Sequence, residues 1–206
     1  MVSSSDREAL NLLLAEATLV GYQILPRAHT SGLTIVVNTL AENGKVEDVP
    51  ILLLLKDVSR IRARLTDVEG TRIDRSPTLA TLPSLVRELA ADRTTATMYD
   101  AEFVDPPRDV IDSHGRWPLD VVIFESARQD SSLWVWQETR LHHLDVVTSF
   151  QTWSVYDEHG KEVVISELVQ SVKNWWMALA AGSLITSSER WRQDPIPLSR
   201  VGLPES

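Results

Sequence analysis

The residues best placed to do chemistry lie in Arg140-Leu141-His142-His143-Leu144-Asp145. On an extended strand alternate side chains share a face, so His143 and Asp145 point one way and Arg140 and His142 the other. An imidazole beside a carboxylate is the minimum for acid–base work, or for two ligands of a metal. Adjacent histidines, however, face opposite sides and chelate poorly, and a third ligand would have to come from His29, Asp112 or His114. The segment therefore reads first as the polar end of a strand at a turn. Its chemical alternative is a small-molecule-binding or hydrolytic site built on His142, His143 and Asp145. No catalytic residue, metal or cofactor is assigned.

A second set is Arg60, Arg62 and Arg64, one face of a strand, with Arg72 and Arg75 nearby. Such a stripe can bind phosphate or nucleic acid. The formal net charge of −9, and the lack of aromatics between those arginines, argue against nucleic acid. Phosphate-cradling glycine loops, a G-x-S-x-G elbow and H-E-x-x-H are missing, which lowers the expectation of nucleotide-dependent enzymes, common serine hydrolases and zincin peptidases.

The third set is aromatic. All seven tryptophans fall between Trp117 and Trp191, more than one sheet–helix interface readily hides. Trp134 and Trp136 share a strand face with Glu138 and Arg140, a mixture of aromatic anchor and charge that protein interfaces enrich. A neighbouring strand carries Trp153, and cross-strand stacking of Trp134 or Trp136 on Phe150 or Trp153 is expected. Trp134, Trp136, Glu138, Arg140 and Trp153 are thus the candidate interface.

These residues need strands to position them. Segment 117–161 reads as successive strands at 119–124, 133–141 and 146–156, with a return near Val163, on the strength of period-two patterning and β-branched and aromatic content. Asp157-Glu158-His159-Gly160-Lys161 reads as a hairpin loop with glycine in a left-handed conformation. Upstream, 33–40 is a strand, and Asn43-Gly44 can supply the two positive φ angles of a tight hairpin turn. Run 50–65 fits an amphipathic helix, but the hairpin turn demands a partner strand, so two strands broken or bulged at Lys56-Asp57 are expected. Strand 94–104 leads into a polar loop at 105–116, long enough to be functional.

Three helices complete the reading. Segment 5–25 has Ser5 and Glu8 spaced as a capping box and Pro26 as its stop. Segment 83–91 buries Leu85, Val86 and Leu89. Segment 167–181 is capped by Ser166, closed by Gly182, and carries Leu168, Val172, Trp175, Trp176 and Leu179 at helical spacing.

Length and composition bound the answer. With 206 residues, 43% hydrophobic and 24% charged, the chain suits one large globular domain. It has no cysteine, which removes disulfides and thiolate chemistry and fits a reducing compartment. Asp6 and Glu8 sit where a signal peptide needs positive charge, and no apolar run approaches the roughly 20 residues of a membrane span. A cytoplasmic protein without a membrane partner is expected.

The combined expectation is an α+β domain over 1–182. It would hold a mostly antiparallel sheet of about seven or eight strands, sandwich-like or curled, packed by an N-terminal helix and a C-terminal Trp-bearing helix. A Pro-containing tail over 183–206 packs across it or reaches a neighbouring subunit. The expected function is a non-enzymatic interaction module, accessory, inhibitor-like or assembly protein, binding a protein partner or itself through an acidic, Trp-bearing sheet face.

Overall fold

A computed structural model of the chain describes residues 4–15, 17–41, 43–67, 69, 71, 76–91, 97–104, 117–127, 130–139, 141–182 and 194–204, with backbone alone at 4–6, 97–104 and 138. Loop 105–116, Arg72, Arg75, Asp112, His114, Arg140 and Trp191 lie outside them, as do the side chains of Ser5 and Glu138.

The fold is α+β, with two antiparallel sheets. Strands β1 (Thr18–Leu25), β2 (Thr30–Leu40) and β3 (Val46–Lys56) form the first with β9 (Thr152–Asp157), in the order β1-β2-β3-β9. The second holds β4 (Arg60–Asp67), β5 (Thr97–Val104), β6 (Leu119–Val122), β7 (Ser131–Glu138) and β8 (His142–Phe150), in the order β5-β7-β8-β4-β6. Helices α1 (Ser4–Leu14), α2 (Leu82–Ala90) and α3 (Ile165–Ala180) share one apolar core with both sheets.

What joins the sheets is a shared corner. Strand β3 runs on into β4, and β8 into β9, and the two bent ribbons pair throughout. Lys56 stands opposite Thr152 in one sheet, and Arg60 opposite Ser149 in the other. Three residues on the first ribbon there face two on the second, so the corner is a bulge. Asp57 takes the strain with φ +52°, Ser59 N–H donates to the Ser149 carbonyl, and Gln151 N–H donates to the Lys56 carbonyl. The Arg60, Arg62, Arg64 alternation starts immediately past this break.

The corner also corrects the expected strand 146–156. It is two strands, and the inside–outside period inverts at Gln151, so Phe150, Trp153 and Val155 all face the main core. Near Val163 the return is a single bridge, Tyr156 to Glu162. Helix α1 ends at Leu14, not at residue 25. Thr18 to Leu25 is buried on both faces and pairs with β2, and such tertiary contact outweighs a helical stripe. Only Gly44 of Asn43-Gly44 has a positive φ, because Gly44 N–H bonds back to the Ala41 carbonyl in a turn that needs one left-handed residue. Gly160 repeats that device after Asp157, whose carboxylate accepts from the His159 and Lys161 backbone N–H groups. Val164, not Ser166, precedes the first turn of α3, and no side chain caps it. Trp175 is buried while Trp176 is half-buried, as two neighbours on one helix must be.

Across the core the Tyr22 hydroxyl of β1 meets Thr148 Oγ1 of β8 at 2.7 Å, fully buried, and burial pushes the phenol pKa up. Tyr22→Phe is expected to cost about 1 kcal/mol in urea unfolding. A cycle with Thr148→Val should show the two losses to be non-additive; additive losses would mean that the bond contributes nothing.

Candidate functional site

The outer face of the five-stranded sheet gathers the charged and aromatic side chains. Period-two alternation in β7 sends Leu133 and Val135 inward and Trp134 and Trp136 outward. In β8 it sends Leu144 and Val146 inward and His143, Asp145 and Val147 outward. Register then sets Arg64 opposite Asp145 and Arg62 opposite Asp120 of β6, so the arginine stripe and the tryptophans occupy one face.

Asp145 is the hub. It is 2% exposed. One carboxylate oxygen accepts from Arg64 Nε, while the other accepts from Trp134 Nε1 at 3.0 Å and lies 3.4 Å from His143 Nε2. Burial works to raise its pKa, but the hydrogen bonds and charges of His143 and Arg64 together outweigh that and hold it below the ordinary carboxylate range. The Arg64 guanidinium also lies 5.1 Å from the centre of the Trp117 ring, a cation–π contact. Trp117 meets Trp134 edge-on at 6.5 Å, and Trp134 meets Trp136 at 5.4 Å. Val147 completes this second, outer apolar cluster. Toward the edge strand, Arg60 grips Asp120 with two bonds of 2.6 Å and Arg62 Nε stands 3.6 Å away. The bond to Arg60 dominates, and Asp120 too is held below the usual range.

A carboxyl whose folded pKa is depressed stabilises the fold fully above its unfolded value of about 4, and that contribution is lost as pH falls through the folded value. Unfolding free energy should therefore drop between roughly pH 5 and pH 2, and Asp145→Asn should flatten the drop. An unchanged slope in the variant would assign the acid sensitivity elsewhere.

Several expectations need correcting against this geometry. Trp134 is 8% exposed, so it is not an open anchor; it is enclosed because its indole N–H must reach Asp145. Trp136, half-buried, is the more accessible ring. Trp153 belongs to β9 in the other sheet and packs on the main core, so it is no part of this face, and stacking of Trp134 or Trp136 on Phe150 or Trp153 does not form. The cause is the corner at Gln151, which places the two aromatic groups in different layers. The face is also mixed rather than simply acidic, since β4 adds three arginines to it. His142 lies on the opposite side of β8 from His143, where its backbone is tied to Thr139. His29 is remote from both, stacked at 4.7 Å on Phe124.

The alternation of β4 marks Arg64 as outward-facing, but only the register of β4 against β8 brings it to Asp145 and so to Trp117 and Trp134. Among the described residues no three His, Asp or Glu side chains stand close enough to hold a metal ion, and no helix is long and apolar enough to cross a membrane. No protein-family model matches the chain, and no curated protein and no solved structure matches it.

Proposed function

We propose that the chain is a non-enzymatic interaction module that binds a protein partner, or its own copy, through the outer face of the five-stranded sheet, where Trp136 and Arg60 are the more accessible aromatic and cationic groups. The observation that supports this is the saturated Asp145 carboxylate. Both of its oxygens are engaged by the protein's own groups, and it is enclosed and held ionised, so it serves to fix Arg64 and Trp134 in place instead of exchanging protons with a substrate. A rigid aromatic patch rimmed by arginine is what protein interfaces favour.

Light scattering of the full chain across a hundredfold concentration range, together with affinity capture from a lysate of the source cells, tests the reading. Arg60→Glu with Trp136→Ala should weaken the self-association or the captured partner at least tenfold. A strict monomer whose captured proteins are the same with and without these substitutions would end the proposal. The runner-up, a small-molecule-binding or hydrolytic enzyme at His142, His143 and Asp145, draws on the His143–Asp145 approach alone. Turnover of any ester or phosphoester in a substrate panel, lost in His143→Ala, would favour it.

A further inference from the structure

The outer face of the four-stranded sheet is covered by residues 194–204, and the fit is that of a peptide in a groove. Leu198 is 0% exposed and Ile196 is buried beside it, against Leu25, Leu52 and Leu54, with Tyr156, Val201 and Leu203 around the edge. The sheet clears space for them by omitting side chains. A Cβ on Gly21 would stand 2.6 Å from Pro195 Cβ, and one on Gly32 would stand 2.6 Å from Leu198 Cδ2. A Cβ on Gly160 would run into the Arg200 carbonyl oxygen.

The sheet also reads the backbone of this segment. Gln23 donates from Nε2 to the Ile196 carbonyl at 2.7 Å and accepts at Oε1 from Leu198 N–H at 3.3 Å, so a single amide brackets the segment. Ile196 N–H donates to Thr34 Oγ1 at 2.9 Å. Pro197, with φ −70° and ψ 144°, is in polyproline II conformation, which costs little ordering entropy because the ring presets it. Main-chain bonds from fixed side chains, apolar seats for alternate residues and a preset extended ligand are the ingredients of peptide recognition.

We propose that this face is a binding groove for an extended Pro-Ile-Pro-Leu segment, filled in cis by residues 195–198 and able to take the same segment from a second copy of the chain. A copy's segment brings identical contacts, so nothing is lost at the groove when the exchange is made. Covalent attachment makes closure by the cis segment intramolecular, which favours the closed monomer when both are intact. The site lies on the other sheet from the face proposed above and does not depend on that reading.

A complementation experiment tests it. One full-length variant, Ile196→Asp with Leu198→Asp, keeps the groove and spoils the segment; the other, Gly32→Val, keeps the segment and blocks its seat. Their mixture should associate at least tenfold more tightly than either variant does with itself. A mixture of two folded variants that shows no species beyond those of the separate variants overturns the proposal. Should either variant fail to fold, the wild-type sequence with a protease site inserted within 183–193 gives the answer. After cleavage the released piece should co-elute with the body and exchange with a fluorescent synthetic peptide of residues 194–204, while a piece that elutes free counts against the groove.

Discussion

Asp145→Ala should cost about 3–5 kcal/mol of folding stability at pH 7, because it removes one partner of an enclosed ion pair and leaves the other behind. Arg64 would keep its charge at a half-buried position, and Trp134 would keep an indole N–H with its acceptor gone. Against a total of roughly 5–15 kcal/mol for an ordinary domain, that is a large fraction. Asp145→Asn, which retains an acceptor for Trp134 but not the charge, should fall between wild type and Ala. Adding Arg64→Met to Asp145→Ala should restore part of the loss, since the guanidinium that lost its carboxylate is then removed as well. Urea unfolding followed by tryptophan fluorescence measures all three. An alanine variant within about 1 kcal/mol of wild type would show that the carboxylate is better solvated than its enclosure implies.

Phe150→Ala should be comparably damaging, at about 3–5 kcal/mol. Its ring is fully enclosed in the main core at the point where the β8–β9 ribbon turns from one sheet to the other. The bulge opposite it, carrying Asp57 at positive φ, leaves little freedom for the neighbours to collapse into the space. Phe150→Leu should recover much of the loss. If alanine instead costs no more than at an average position, about 1 kcal/mol, the corner relaxes and is not a rigid joint.

The fold class was legible in the sequence, because β-branched alternation in 133–141 and the two glycine turns at Gly44 and Gly160 are local signals that tertiary contact reinforces. The break at Lys56-Asp57 and the outward set Arg60, Arg62, Arg64 were legible for the same reason. The end of α1 was not: Leu10, Leu13, Leu14, Ala17 and Tyr22 or Gly21 fall near one helical stripe, and only pairing of Thr18 to Leu25 with β2 decides otherwise. Nor was the corner at Gln151, since a bulge shifts the period by one residue without leaving a glycine or proline as a mark. That shift sends Phe150 and Trp153 to the main core and leaves Trp134 and Trp136 on the outer face, so the single aromatic face that simple alternation predicts is two groups. At the site, His143 and Asp145 were correctly set on a common face. Their decisive partner, Arg64, lies 81 residues away and is fixed by register, which no local pattern encodes.

Strand β3 has an awkward birth. Its residues 51–55 are apolar on both sides: Ile51, Leu53 and Leu55 enter the main core, and Leu52 and Leu54 lie under Ile196 and Leu198. Its lateral neighbour β9 is about a hundred residues downstream, as in the pairing of Leu53 with Val155, and its outer cover comes later still. While a ribosome is making β5 to β8, this leucine-rich ribbon therefore presents a bare edge and a greasy back to the cell. A nascent chain halted before residue 152 is the species on which holding chaperones should be found.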